Sequence, residues 1–373
     1  MWVGNCSLLT FAAVMNDLEN AHRSRPVAIW IMIGVAMLLI QVILGGVTRL
    51  TGSGLSITEW NVVTGALPPL NQQQWMTEFE KYRQTPQYYL LNTEFALSDF
   101  KFIFFWEWFH RLWARLIAVA FLIPFIIFLL QRRIKQEMVV PLILLFLLGA
   151  LQGAIGWIMV MSGLTGDAVY VKPTKLALHF VFAIGLIAYA FWVGLKWMYP
   201  GERTPFPKLR SFTISVIVVI FVQLVFGALM AGHKGAVAAP TWPTINGSML
   251  PEGLFREQPM ILDLVDNIIT IHFIHRGLAY LLLLMIVIWT VKALRLSQAD
   301  PIFKKTRIIP AAMVGLQLIL GILAVLNSLT IVPNQWGSFE WIALLHQIVG
   351  MLFLLAMVGM LYFMGRKYQT QRL

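Results

Sequence analysis

Four histidines lie at matched places in long apolar stretches: His110, His179, His275 and His346. An ionisable side chain inside a membrane helix is costly and by default marks a functional site. One alone would more often satisfy an interhelical hydrogen bond. Four at equivalent positions argue otherwise, and they fall into two couples, His110 with His179 and His275 with His346, read as spanning neighbouring even-numbered helices at similar depth. Zinc wants three or four ligands with carboxylate or thiolate among them, and only Glu107 is near. Haem iron takes two axial ligands from opposite faces, which imidazoles supply. A four-helix bundle with facing ligands is a common haem site. Two haems, one per couple, is the preferred reading.

The couples are not chemically equal. The first is preceded by Glu107-Trp-Phe-His110-Arg111, the second by His272-Phe-Ile-His275-Arg276. Residues three apart share a helical face, so a carboxylate stands beside the first haem where the second has imidazole. Glu107 could stabilise a developing cation or move a proton; the bland alternative is a charge complementing the helix dipole. Arg49, Arg111 and Arg276 could pair with haem propionates, or simply snorkel to the interface.

The elements that must position these residues are helices. Apolar residues make up 59% of the 373, charged residues 12%, and mean hydropathy is +0.75. Soluble domains run near 25% charged, so a cytosolic enzyme is excluded. The chain reads as an all-α polytopic membrane protein. About 20 apolar residues cross the bilayer core, and eight runs qualify: 27–47, 102–130, 139–161, 175–199, 211–231, 267–291, 308–329 and 341–364. Gln41, Gln152, Gln223 and Gln317 each begin a Gln-x-x-x-Gly stretch in alternate runs. Gln152 to Gln317 and His110 to His275 are both 165 residues apart. The eight helices therefore read as two duplicated four-helix bundles, 27–199 and 200–373, with glycines admitting a neighbouring helix or a flat ligand. Residues 1–26 form an amino-terminal segment.

Net charge is +11. The basic residues sit between the apolar runs, so topology explains them better than nucleic-acid binding does. With both termini inside, seventeen Lys and Arg fall on inner segments and eight on outer ones. The outer loops at 48–101 and 232–266 are then the long ones. The one cysteine, Cys6, allows neither an intramolecular disulfide nor a cysteine cluster. No cleaved signal or transit pattern is legible in the first 26 residues. That leans the reading toward a bacterial cytoplasmic (inner) membrane over the mitochondrial inner membrane.

These residues resemble the haem A synthase family. The resemblance is carried by Gly45-Gly46-Val-Thr-Arg49-Leu-Thr-Gly-Ser-Gly-Leu-Ser-Ile-Thr-Glu59-Trp60, Ala66-Leu-Pro68-Pro69, Glu107-Trp-Phe-His110-Arg111-Leu-Trp-Ala-Arg115, Gln152-Gly153-Ala-Ile-Gly156-Trp157, Gly227-Ala-Leu-Met-Ala-Gly232 and His275-Arg276. It covers most of the chain after residue 25. It is closest to the mitochondrial and proteobacterial branch, because the first outer loop lacks a cysteine pair. The resemblance implies an oxidoreductase that turns a ring methyl of haem O into the formyl group of haem A for cytochrome oxidase assembly. Oxygen would come from water and electrons would leave to an acceptor. His110 and His179 would ligate the substrate haem O, with Glu107 catalytic, and His275 and His346 would hold a haem b cofactor through its iron. A haem O synthase and cytochrome oxidase assembly factors are the implied partners, besides the lipid bilayer; the sequence leaves self-association open. After Gly232 the chain departs from many relatives with His233-Lys234-Gly235, so no role is carried over there.

A di-haem cytochrome b-type electron-transfer subunit explains the paired histidines equally well. It does not explain why Glu107 faces His272 across the repeat, nor why all four histidines fall on the outer side. A transporter with duplicated halves predicts broken helices and midplane charges, and the even-helix histidines sit too near one surface for that.

Overall fold

The computed structural model describes residues 4–59, 64–201 and 203–365, with side chains from residue 25 onward. Trp60, Arg366, Lys367 and Arg372, and the side chains of Cys6 and Arg23, lie outside the described residues. Among the described residues no strand forms. The helices are α1 (Gly4–Leu50), α2 (Gln72–Arg83), α3 (Pro86–Leu91), α4 (Leu97–Leu130), α5 (Gln136–Met161), α6 (Pro173–Met198), α7 (Pro207–Gly232), α8 (Met260–Asp266), α9 (Ile268–Leu294), α10 (Pro301–Thr306), α11 (Ile309–Leu326) and α12 (Ser338–Phe363). Eight stretches are long and apolar enough to cross a membrane, the seventh running through α10 and α11.

Punctuation in the sequence sets where the spans begin. Pro173 and Pro207 open α6 and α7 at positions where a missing N–H costs nothing. Asn267 caps α9 by accepting from the Ile269 and Thr270 N–H groups. The second span starts earlier than its apolar run suggests, at Leu97, because Asp99 reaches back to the Ala96 N–H and completes a first polar turn. Two short helices, α2 and α3, fold inside the first long loop. Asn71 and Thr85 cap them, and Phe79 and Tyr82 pack on Phe100 and Phe104 of α4.

In the first group of four, α1 packs on α4 and α6, and α5 on α6. The second group closes into a ring: α7 on α9, α9 on α11, α11 on α12, and α12 on α7. The groups meet where α6 touches α7 and α12, and α1 touches α12. Lipid tails are as apolar as the helices, so close packing and polar ties hold such a bundle. Gly46 serves this purpose: a Cβ there would lie 2.8 Å from Gln347 and Leu344 of α12. The Gln347 side chain donates to the Val42 carbonyl at 3.0 Å. Trp113 ties α4 to the Met37 carbonyl of α1, and Trp289 ties α9 to the Thr213 hydroxyl of α7. The densest core, including Trp289, Phe303, Leu354 and Met357, sits toward the end away from the two long loops. The end beneath those loops is left hollow.

Candidate functional site

That hollow is a cavity of about 1310 Å³ reaching into both groups of helices. Single drug-sized ligands occupy roughly 300–1,000 Å³, so it has room for more than one. Arg49, Glu107, His110, Arg111, His179, His275, Arg276 and His346 all line it. The sequence reading put each histidine couple on neighbouring even-numbered spans, and the structure adds where those spans stand. In the second group α9 and α12 stand at opposite corners of the ring, each flanked by α7 and α11. Opposite corners are what two ligands need to approach one flat molecule from its two faces.

Each histidine is held the same way by the helix preceding its own. A Cβ on Gly45 would lie 3.1 Å from Cε1 of His110, and one on Gly156 2.8 Å from that of His179. The distances are 3.1 Å for Gly227 against His275 and 3.0 Å for Gly321 against His346. Any side chain at these positions would crowd the ring edge, most severely at Gly156. One turn earlier the glutamine covers the same ring. The Gln41 amide nitrogen lies 3.3 and 3.2 Å from the two ring nitrogens of His110 and donates to its backbone carbonyl at 3.2 Å. Gln152 does the same for His179, donating to its carbonyl at 2.9 Å. Gln223 and Gln317 lie 3.4 Å from Nε2 of His275 and His346. The recurrent Gln-x-x-x-Gly is thus a two-point clamp on an imidazole. The sequence displayed the repeat, yet read alone it signalled only the close approach of a helix or a flat ligand.

The residue three before His110, and its counterpart three before His275, anchors a long loop in each half. Glu107 is 3% exposed. Its Oε2 accepts from the Ser56 hydroxyl at 2.7 Å and the Ile57 N–H at 2.9 Å, and its Oε1 from Arg111 at 2.5 Å. Arg111 also donates to the Ile57 and Glu59 carbonyls. In the second half His272 donates through Nε2 to the Gly235 carbonyl at 2.7 Å. Arg276 donates to the carbonyls of Ala239, Thr241 and Thr244 at 2.8, 2.9 and 3.0 Å. Both arginines therefore hold loop backbone at the cavity mouth. Lys234 joins them there, its ammonium 3.5 Å from the centre of the Tyr170 ring. His233 points elsewhere, donating to the Val265 carbonyl at 2.7 Å. Ser56, Ile57, Lys234 and the clamp role of the glutamines escaped the sequence reading, because partners distant in sequence define them.

A haem fits these residues. The His275 and His346 ring centres are 6.4 Å apart and their planes cross at 71°. A metal bonded to one imidazole nitrogen on each side at about 2 Å places two ring centres roughly 6 Å apart. The Nδ1 atoms of both rings are buried without a hydrogen-bond partner, as a donor set awaiting another atom would be. No cluster of three or more His, Cys, Asp or Glu that could hold a bare metal ion occurs among the described residues.

Comparison with known proteins gives a consistent picture. Residues 28–358 match the family model COX15-CtaA, described as cytochrome oxidase assembly protein. The chain is similar to the protein named "Heme A synthase" of Parvibaculum lavamentivorans, 42% identical over 288 residues, covering 77% of this chain and 83% of the relative. It is 40% identical over 344 residues to that of Methylobacterium radiotolerans, covering 90% and 89%. It is 42% identical over 309 residues to that of Bradyrhizobium diazoefficiens, covering 82% and 85%.

Proposed function

The chain belongs to the COX15-CtaA family of cytochrome oxidase assembly proteins, and on that footing we propose that it oxidises a ring methyl of haem O to the formyl group of haem A. The observation that carries the reading is the pair of clamped histidine couples opening on one cavity, with a fixed carboxylate three residues before His110 where the other half places His272 before His275. Residues 27–199 form the substrate half, where His110 and His179 take the substrate from its two faces. Residues 200–373 form the cofactor half, where His275 and His346 hold haem b. The chain crosses a bacterial inner membrane with both termini inside, which puts the two long loops and all four histidines toward the outer surface.

Converting methyl to formyl takes up one oxygen from water and gives off four electrons and four protons. Bound haem b would accept electrons and pass them onward. The protein's own residues supply position and charge. The glycine and glutamine of each clamp stop the imidazole from turning, so the substrate ring is held at a set depth. Glu107 cannot swing away, since Ser56, the Ile57 N–H and Arg111 fix both its oxygens. A preorganised carboxylate favours positive charge developing beside it without reorganising. It is also placed to take a proton from an attacking water. Arg49, Arg111, Arg276 and Lys234 give the mouth a positive rim suited to haem propionates. Loops over that rim limit access of bulk water.

The test is product formation. The purified protein is supplied with haem O and an electron acceptor, and the pigment is analysed by mass spectrometry. The formyl product is expected from the parent and not from Glu107→Ala. Unchanged haem O from the parent under conditions where it binds would refute the proposed oxidation.

A further inference from the structure

The duplication leaves one asymmetry that the chemistry at Glu107 does not use. In the second group α9 packs along α11; in the first, the equivalent helices α4 and α5 do not pack along one another. They meet where Phe121 and Phe146 stack, ring centroids 6.3 Å apart. Toward the long loops the seam widens, lined by Ala114 and Ala118 of α4 and by Gly149 and Gly153 of α5. All four are exposed. A Cβ added to Gly149 or Gly153 would meet nothing within 4 Å. The 165-residue register of the repeat aligns Ala118, Gly149 and Gly153 with Leu283, Val314 and Leu318. Val314 is buried and the two leucines are partly buried, so larger side chains close the same seam in the second half.

We propose that the seam between α4 and α5 is a slot, open to the membrane, that admits and holds the isoprenoid chain of the substrate haem. The proposal rests on the reading of the first half as the haem O half. Haem O differs from haem b in carrying that long apolar chain. The half assigned to the chain-bearing haem has the slot, and the half assigned to the chainless one has it filled. The slot is continuous with the cavity that His110 and His179 line. Its walls are apolar, so a chain lying between them and the bilayer core leaves no polar group unsatisfied. The cavity mouth offers no alternative route, because Arg49, Arg111 and Lys234 ring it and an apolar chain gains nothing there. Substrate would then enter sideways from the membrane with its propionates toward the basic rim.

The experiment uses the full-length chain with its resident haem, titrated optically with haem O and, separately, with added chainless haem b. Gly149→Val with Gly153→Leu copies the second half. This double variant should weaken haem O binding at least tenfold and leave chainless haem binding within twofold. Equal weakening of both, or no change for haem O, would overturn the proposal. A second measurement does not depend on how the double variant folds. Ala118→Cys, made in a Cys6→Ser background, should react with a membrane-soluble maleimide. Bound haem O should protect it and bound chainless haem should not. Equal protection by both would overturn the proposal. Failure of the proposed oxidation reads differently: chain-dependent binding without formyl product would leave the slot standing and remove the chemistry.

Discussion

Three residues before His110 and His275, the two halves solve one structural problem with different chemistry. Glu107 accepts hydrogen bonds from Ser56 and Ile57, and His272 gives one to Gly235. Each ties a long loop to the helix bearing the histidine. The task of anchoring therefore does not require a carboxylate. What the first half keeps, and the second lacks, is a carboxylate at this position; the cavity-lining carboxylate of the second half, Glu340, stands instead in the first turn of α12. The same contrast runs through the α4–α5 seam, open with glycine at 149 and 153, and its counterpart, closed with Val314 and Leu318. The clamps are common to both halves, and the surroundings of the clamped histidines differ.

The sharpest way to break the comparison is to make the halves alike. Glu107→His gives the first half the second half's residue. Turnover of haem O should fall by about 10²–10³, the usual cost of removing one preorganised electrostatic group, while the resident haem spectrum stays as it was. Product formed at the parental rate would show that the carboxylate is only an anchor.

The clamps come next in size. Alanine at a clamp glycine pushes a methyl into the imidazole, and overpacking of this kind costs about 1–3 kcal/mol. Gly227→Ala and Gly321→Ala should lower the ratio of resident haem to protein. Gly45→Ala and Gly156→Ala should leave that ratio alone and weaken substrate binding, Gly156 most, because its Cβ would come closest to the ring. A uniform effect of all four on resident haem would erase the distinction between halves. Gln223→Leu removes the lid of one clamp and should alter the electron paramagnetic resonance signature of resident haem without releasing it.

The smallest effect separates the two long loops by pH. In the second, burial opposes ionisation of Asp263, but donation from the Glu257 N–H, the Thr270 hydroxyl and the Asn267 amide outweighs it and holds its pKa below the ordinary value. The stability this adds is present above the usual carboxylate pKa and fades as pH falls through the lowered one. In the first loop, hydrogen bonds to Glu78 and then Glu59 raise the pKa of Lys81. That contribution is present at neutral pH and lost as alkali passes the raised pKa; solvent screening keeps it small. Limited proteolysis should therefore cut 232–266 faster in acid and 48–101 faster in alkali.

Much of this architecture was legible in the sequence. Hydrophobic runs of the right length marked the eight spans, and the 165-residue offset shared by His110–His275 and Gln152–Gln317 pointed to the duplication. All eight site residues singled out from sequence line one cavity, because ionisable groups in apolar helices are rare enough to stand out. What could not be read depends on contacts across the fold. Gln-x-x-x-Gly was visible four times, but that the glycine receives Cε1 of a histidine on another helix is a matter of helix rotation. Ser56 and the Ile57 N–H meet Glu107 across some fifty positions in the chain, and nothing local announces it. The sequence put each histidine couple on even-numbered spans but not at opposite corners of a ring, because apolar periodicity reveals which face is buried and not which helix lies next to it.

The central claim is that one histidine couple keeps a haem and the other receives one. The most direct measurement is the haem content of two double variants purified from the membrane and then offered haem O. His275→Ala with His346→Ala should arrive without the resident absorption band. His110→Ala with His179→Ala should arrive with that band intact and fail to bind added haem O. If the first variant kept its haem and the second lost it, the two halves would have been assigned the wrong way round; if both kept it, these imidazoles would not be its ligands.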